Sequence, residues 1–292
     1  MASAPLFTAL AVVHPVAQVG WTSWTIHWST VVGIAALGWL YVWGARHLTA
    51  RAAARGEEIP ALRRRQQIAF FSGLLVMFFS LNGPLHDLSD TYLFSAHMVQ
   101  HLLLALVVAP LMIMGTTGAM LRPLLAIRGL GPLARWITNP MRCFAIFNVV
   151  VAGWHLPPMY NYALAHHPVH IVQHLMFLVA SVLMWWPVLS PLPELPRLSY
   201  PGQMLYLFLM SIPMAIVSVY IAYADTLLYP SYAAAPRVWG ITPMNDQLIG
   251  GLIMWIPGGL FFYSIISIVF FRWQQRDGVE TRAGAQVDWR PV

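Results

Sequence analysis

Long apolar stretches alternate with short polar segments along the chain, and this pattern predicts membrane-spanning helices. A bilayer core of roughly 30 Å needs about 20 consecutive apolar residues in a helix. Seven stretches reach this length, at about 24–45, 67–85, 93–115, 141–160, 169–189, 202–224 and 246–271. The second and fourth end in proline-containing segments, Asn82-Gly83-Pro84 and His155-Leu156-Pro157-Pro158. We therefore expect an all-α fold, a polytopic bundle of seven transmembrane helices.

Arginines occur in every second connection between these stretches. They are Arg51, Arg55, Arg63, Arg64 and Arg65 after the first stretch, Arg122, Arg128 and Arg135 after the third, Arg197 after the fifth, and Arg272, Arg276, Arg282 and Arg290 after the last. The other connections contain only Arg237. Because cytoplasmic loops are rich in basic residues, the N-terminus is predicted outside and the C-terminus in the cytoplasm. We expect an extracytoplasmic tail at 1–23, a seven-helix domain at 24–272 and a cytoplasmic tail at 273–292.

The composition supports a lipid environment. The chain is 59% hydrophobic and only 9% charged, whereas a soluble domain carries about 25% charged residues. The net charge of +6 does not indicate nucleic-acid binding, because the arginines lie in short loops between apolar stretches. Cys143 is the single cysteine, which excludes an internal disulfide and a multi-cysteine metal site.

Most histidines fall on the predicted outer side of the membrane. These are His14, His27, His86, His97, His101, His155, His166, His167, His170 and His174, and only His47 falls on the cytoplasmic side. Two pairs match each other, because residues 97–101 and 170–174 both read H-x-V-Q-H and both begin a predicted span. Residues four apart lie on one helix face, about 6 Å apart along the axis, so two imidazoles can converge on one ion.

The two matched pairs predict a metal site, since histidine is the commonest metal ligand and ionisable groups inside spans are costly unless they serve a function. His97, His101, His170 and His174 are the expected main ligands, with His155 as a fifth or a replacement. The alternative is a hydrogen-bond network that only joins helices. Five other histidines are interpreted as interfacial side chains: His14, His27, His47, His166 and His167. The pairs lack the glutamate of H-E-x-x-H, so a zinc protease is not indicated.

Asp87, Asp90, Asp225 and Asp246 fall in the same outer layer as His86. We expect His86, Asp87 and Asp246 to form an outer shell or an entry path. Asp87 could bind the metal, orient a ligand histidine or cap a helix. Asp246 begins the last span and either joins the layer or caps that helix. Imidazole ligands without thiolate suit copper, zinc, nickel or iron. An extracytoplasmic histidine site with nearby methionines favours copper, with zinc not excluded.

Several motifs resemble the seven-span CtaG family over about residues 67–272. They include Gly83-Pro84-Leu85-His86-Asp87-Leu88, the segment Ser95–Leu104 with its histidine pair, Trp154-His155-Leu156-Pro157, His170–His174, Trp185-Trp186-Pro187, Leu228-Tyr229-Pro230, Asp246-Gln247 and Met254-Trp255-Ile256-Pro257-Gly258-Gly259. The resemblance implies a cytochrome c oxidase assembly factor of the bacterial inner (plasma) membrane, linked to copper supply to caa-type haem–copper oxidases. It places family histidines on His86, His97, His101, His155, His170 and His174, and family acids on Asp87 and Asp246.

The resulting hypothesis is a non-enzymatic copper metallochaperone whose partner is an oxidase subunit in the same lipid bilayer. One alternative is a haem-binding membrane redox protein with axial histidines from two spans. Another is a transporter of metal ions or protons, which needs polar groups through the inner halves of the spans, where the sequence has few. A third is a helical scaffold that binds the oxidase without metal. The sequence leaves the oligomeric state open.

Overall fold

The computed structural model describes residues 24–56 and 63–287 of the chain. These residues form α-helices, with no β-strand among them. The helices are α1 (Trp28–Arg55), α2 (Arg64–Leu81), α3 (Pro84–Asp87), α4 (Phe94–Leu102), α5 (Ala109–Gly115), α6 (Gly118–Leu125), α7 (Leu130–Ile137), α8 (Pro140–His155), α9 (Pro157–Ala165), α10 (His167–Leu189), α11 (Tyr200–Ala222) and α12 (Pro243–Val287). Two π-helical segments, Leu88–Tyr92 and Leu103–Val108, follow α3 and α4, and a 3₁₀ turn forms at Pro230–Tyr232.

Five of the described helical segments are long and apolar enough to cross a membrane. They are Trp28–Ala54, Phe94–Gly115, His167–Leu189, Tyr200–Ala222 and Pro243–Asp277. Two bent pairs raise the number to seven if each is one span: Arg64–Leu81 with Pro84–Tyr92, bent by 43°, and Pro140–His155 with Pro157–Ala165, bent by 73°. The predicted all-α, polytopic membrane fold is therefore confirmed. The orientation of the termini stays a prediction, and the predicted tail at 1–23 lies outside the described residues.

Both bends occur at the two proline-containing segments. Gly83 has φ +73°, a left-handed conformation that only glycine adopts freely, and Pro84 then begins α3. Leu156 is extended between α8 and α9, and Pro157 begins α9. Proline suits the first turn of a helix because its missing N–H is unneeded there. The chain thus continues after each break as a second, tilted helix.

Helices α8, α10, α11 and α12 enclose the main apolar core. Its buried side chains include Phe147, Trp185, Met210 and Phe262. Trp185 donates its indole N–H to the carbonyl of Ala105 at 2.8 Å, so the polar tip of this buried ring is satisfied.

Large apolar side chains cover the outer surfaces of the same helices. Val149 on α8, Leu175 on α10 and Ile216 on α11 are all more than half exposed. By contrast, histidines and glutamines are buried inside the bundle. An apolar exterior around a polar interior is the arrangement expected for a protein in lipid.

Glycines allow the closest helix contacts. A Cβ on Gly251 of α12 would lie 2.8 Å from both the backbone nitrogen and the Cβ of Ala222 on α11. A Cβ on Gly115 of α5 would lie 2.6 Å from the backbone nitrogen of Phe70 on α2. Small residues let membrane helices approach this closely. The glycine at 251 therefore allows the first part of α12 to pack closely against the end of α11, near α4.

The other end of the bundle carries short helices and basic loops. Here Arg122 of α6 donates from Nε to a carboxylate oxygen of Glu194 at 2.6 Å. This hydrogen bond lowers the pKa of the Glu194 carboxyl. Both side chains are well exposed, so the pair contributes little to stability.

Candidate metal centre

The N-terminus of α4 is held by Asp246 from the first turn of α12. Its carboxylate accepts hydrogen bonds from the backbone N–H of Phe94 at 2.6 Å and of Ser95 at 3.0 Å, and from the Ser95 hydroxyl at 2.5 Å. A carboxylate at this position satisfies free backbone donors and complements the helix dipole. Asp246 thus caps a different helix from its own, and it positions the helix that carries His97 and His101.

The pair on α4 meets a histidine of α10 to form what we call the three-histidine group: His97, His101 and His174. Nε2 of His97 lies 2.8 Å from Nε2 of His101. The ring centroid of His174 lies 5.7 Å from that of His97 and 5.4 Å from that of His101. Each residue offers one ring nitrogen within 4.8 Å of the others. The 2.8 Å contact is that of a hydrogen bond between the two rings, and in a tetrahedral site, with nitrogens about 2.0 Å from the ion, the same two atoms would lie about 3.3 Å apart.

His97 also belongs to the aspartate group, which consists of Asp90, His97 and His170. The ligand atoms of these three residues again lie within 4.8 Å of one another. Oδ2 of Asp90 is 3.4 Å from Nδ1 of His170 and 3.4 Å from Nε2 of His86. The π-helical segment after α3 thus brings a carboxylate between histidines of two different helices.

Gln100 determines which nitrogen of His86 carries the proton. The Gln100 amide donates to the Ser80 carbonyl at 2.6 Å and to Nδ1 of His86 at 3.0 Å. Nδ1 of neutral His86 is therefore the acceptor, and its proton lies on Nε2, which faces Asp90. This arrangement orients the Asp90 carboxylate as outer-shell partners do in metal sites.

Several ring nitrogens of the layer are buried without a hydrogen-bond partner in the described structure. They are Nδ1 of His101, Nε2 of His155, Nε2 of His170, and both Nδ1 and Nε2 of His174. A buried polar atom without a partner costs about 1–3 kcal/mol. Five such atoms lie in this one layer, and their donor type suits a transition-metal ion.

His155 borders the three-histidine group and belongs to neither group. Its Nδ1 donates to the carbonyl of Val151 at 2.6 Å, which leaves a lone pair on Nε2. Its ring centroid lies 6.0 Å from that of His101. The hydroxyl of Tyr229 donates to the His155 carbonyl at 2.8 Å and fixes this end of α8. His155 therefore lies beside the three-histidine group with an Nε2 that has no partner in the described structure.

Two tyrosines lie against His97. The hydroxyl of Tyr232 donates to the Ser89 carbonyl at 2.8 Å, and the Tyr160 hydroxyl lies 2.9 Å from the Tyr232 oxygen. Nδ1 of His97 lies 3.5 Å from that same oxygen. Since Tyr232 uses its proton on Ser89, His97 can present N–H to it from Nδ1. Its Nε2 then accepts from Nε2 of His101, with the lone pair that a metal ion would use. Burial raises the pKa of Tyr232 well above its usual value, so the phenol stays neutral.

Asp90, rather than its neighbour Asp87, is the acid that joins the histidines. Asp87 accepts a hydrogen bond from the Thr25 hydroxyl at 3.0 Å and belongs to neither ligand group. The prediction singled out Asp87 and left Asp90 as a general member of the layer. The spacing His86-x-x-x-Asp90 was the signal that could have identified it, because residues four apart share a helix face.

Two histidines interpreted as interfacial also join the layer. The ring of His27 lies 4.3 Å from that of His86 and 6.2 Å from that of His167, measured between centroids. The backbone N–H of His27 donates to Oδ1 of Asn82 at 2.8 Å. This hydrogen bond attaches the segment before α1 to the bend between α2 and α3. His166 instead contacts Tyr162, and His47 stacks on Trp43. His14 lies outside the described residues.

The layer thus offers imidazoles and one carboxylate as its donors. Cys143 hydrogen-bonds the carbonyl of Ile137 near the other end of α8. Met98 is fully buried in an apolar cluster, while Met159 and Met176 are well exposed. Neither ligand group includes sulfur. Nitrogen-rich sites of this kind suit copper, zinc, nickel or iron.

A family model described as cytochrome c oxidase caa3 assembly factor (Caa3_CtaG) matches residues 39–276. This range includes every residue of both ligand groups as well as His86, His155 and Asp246.

Two mycobacterial proteins of unassigned function are also similar. Uncharacterized protein Mb0105 of Mycobacterium bovis and Uncharacterized protein MT0111 of Mycobacterium tuberculosis are each 24% identical to this chain over 240 residues. Each match covers 74% of this chain and 36% of the relative, so the chain spans little more than a third of these proteins. No solved structure gives a significant match.

Proposed function

The chain belongs to the cytochrome c oxidase caa3 assembly factor family, and from this membership we propose that it binds copper at the histidine layer and delivers it to the copper centre of a haem–copper oxidase. It is a multi-pass membrane protein. The observation that carries the copper proposal is the convergence of three histidines in the three-histidine group, where His101 and His174 have ring nitrogens without a hydrogen-bond partner in the described structure.

Copper is the cargo in this proposal, held mainly by His97, His101 and His174. Neutral imidazoles bind the ion, so loading requires that the ligand rings are deprotonated. Three nitrogen ligands leave a position open for an incoming ligand. His155 has an Nε2 near His101 that is unpartnered in the described structure. It is the residue that could occupy the fourth coordination position until the ion is transferred to the partner protein.

The shared ligand His97 suggests how the ion moves. Because His97 belongs to both groups, it can keep hold of the ion while Asp90 and His170 are exchanged for His101 and His174. The exposed ring of His167 and the half-buried ring of His27 lie beside His86 and extend the layer toward the surface. The proposed path therefore runs from these outer rings through the aspartate group to the three-histidine group, and release reverses it.

Elemental analysis of the purified full-length protein tests the binding site. The wild-type chain is expected to retain close to one copper per molecule after reconstitution with Cu(I), and His97→Ala/His174→Ala is expected to retain almost none. His47→Ala/His166→Ala is the matched control, since it also removes two imidazoles but touches neither group. X-ray absorption should report three or four nitrogen or oxygen ligands. Equal copper in both double variants overturns the site.

The oxidase in cells tests delivery. Membranes that contain His97→Ala/His174→Ala at the wild-type level are expected to hold oxidase with depleted copper and reduced activity. Full oxidase copper in these membranes, together with copper loss from the purified variant, would leave binding intact and exclude delivery by this site. A Soret band in the purified wild-type protein would instead favour the alternative of haem ligation.

A further inference from the structure

A cavity of about 940 Å³ lies at the end of the bundle opposite the histidine layer. It opens between α5, the end of α10, the start of α11 and the last part of α12. Its wall includes Leu106, Trp185, Val188 and Val269, which are buried. The hydrogen bond from Trp185 to Ala105 fixes one side of this wall.

The size and lining of the cavity are those of a ligand site rather than a packing defect. Protein interiors leave few voids larger than a water molecule, whereas sites for small molecules occupy about 300–1,000 Å³ and are mostly apolar. An apolar cavity at a surface that faces lipid tails will be filled by an apolar chain. The wall therefore selects a ligand with a hydrocarbon portion.

The mouth of the cavity is basic. Arg197, Arg272 and Arg276 line it, against the single acid Asp277. The guanidinium of Arg276 lies over the ring of Tyr200, 5.9 Å from its centroid, and Tyr200 also lines the cavity. Basic pockets between membrane helices on the cytoplasmic side bind anionic lipid headgroups, and the arginine distribution predicts that this end is cytoplasmic.

We propose that this cavity binds one anionic phospholipid of the surrounding bilayer. An acyl chain occupies the apolar wall, and the headgroup phosphate pairs with the arginines at the mouth. The bound lipid fills the space between α10 and α12, two helices that also approach the histidine layer at their other ends. This site is independent of the copper proposal, because the cavity shares no residue with either ligand group.

Native mass spectrometry of the full-length, delipidated protein tests the proposal, with phosphatidylglycerol or phosphatidylcholine of identical acyl chains as the probes. The wild type is expected to retain one phosphatidylglycerol in preference to phosphatidylcholine. Arg272→Gln/Arg276→Gln should weaken this preference by about fivefold for each arginine. Arg51→Gln/Arg64→Gln is the matched control, since both arginines are exposed at the same end and lie outside the cavity.

A third variant tests the apolar wall. Val107 lines the cavity and is only partly buried, so Val107→Trp should fill the space and displace the retained lipid whichever headgroup it has. The proposal is overturned if the two double variants show the same phosphatidylglycerol preference, or if Val107→Trp retains as much lipid as the wild type. A loss of preference only in Arg272→Gln/Arg276→Gln, with lipid loss in Val107→Trp, supports it.

Discussion

The two H-x-V-Q-H motifs have histidine and glutamine residues at the same positions, but the surroundings of these residues are very different. On α4, His97 and His101 are buried and their Nε2 atoms are in contact. On α10, His170 faces Asp90, and both ring nitrogens of His174 lack a partner in the described structure. The intervening glutamines differ as well: Gln100 donates two hydrogen bonds, whereas neither polar atom of Gln173 has a partner there.

The position of each helix in the bundle explains the difference. Helix α4 is held at its start by Asp246, and its Met98 is fully buried. On α10, Ile171 and Val172 are exposed at 44% and 49%, so one face of this motif contacts lipid. The α4 motif is therefore the more fixed of the two, and the α10 motif has more polar atoms without a partner in the described structure.

Loss of His97 should have the largest effect, because both groups use this residue. His97→Ala is expected to weaken Cu(I) affinity by more than about 100-fold, beyond the 10- to 100-fold that outer-shell changes cost. His170→Ala should cost less, since the three-histidine group remains complete. Competition titrations against a Cu(I) chelator measure both. If His97→Ala and His170→Ala lose the same Cu(I) affinity, the α4 motif contributes no more to binding than the α10 motif.

Loss of the Asp90 charge should have the next largest effect. Asp90→Asn keeps the shape of the side chain but weakens its contacts with His86 and His170, so Cu(I) affinity should fall by about 10- to 100-fold. The same titration on Asp87→Asn serves as the control, because Asp87 lies outside both groups. If Asp87→Asn lost more Cu(I) affinity than Asp90→Asn, Asp87 would be the acid that supports the site.

Removal of the α4 cap should reduce stability more than copper affinity. Asp246→Ala leaves the buried N–H groups of Phe94 and Ser95 without their acceptor, which should lower the free energy of unfolding by about 1–3 kcal/mol. Denaturation in mild detergent measures this change. Asp225→Ala removes an exposed carboxylate near the same end and should change little. An unchanged stability in Asp246→Ala would show that α4 is not held by this contact.

The glutamines give the smallest and most direct comparison. Gln100→Leu removes donors to Ser80 and His86 and should cost about 0.5–1.5 kcal/mol for each hydrogen bond. Gln173→Leu should be neutral or stabilising in the metal-free protein, because an unpartnered buried amide is unfavourable. Thermal unfolding without metal distinguishes them. Equal destabilisation by both changes would mean that the two motifs are equivalent.

The helices and their apolar surfaces were predictable from the chain alone, and the proline-containing segments marked the places of both bends. The fourth stretch, predicted at about 141–160, instead breaks between His155 and Pro157. The length of apolar stretches is a local property, and the prolines at 84 and 157 interrupt helices for local steric reasons. The clustering of the histidine pairs was also predictable. Residues 97, 101, 170 and 174 begin two predicted spans that cross the membrane in the same direction, so both pairs lie on the same side. The CtaG resemblance was confirmed by a family match over most of the chain.

Other parts of the site depend on contacts between distant segments. The spacing His86-x-x-x-Asp90 indicates the local contact between those two residues. The contact of Asp90 with His170 depends on the bend at Gly83 and the π-helical segment after α3. Asp246 caps α4 across 151 positions of sequence, although its place at the start of α12 suggested a cap for that helix.

A membrane-spanning helical bundle with histidine pairs at one end and arginines at the other follows from the chain alone, because hydropathy and helical periodicity are properties of neighbouring residues. Three features required the folded arrangement: His97 is shared by two groups, Asp90 lies between His86 and His170, and a cavity with a basic mouth lies between α10 and α12. Each of these depends on how helices far apart in sequence approach and rotate against one another. That packing is fixed by long-range contacts such as Gly251 against Ala222.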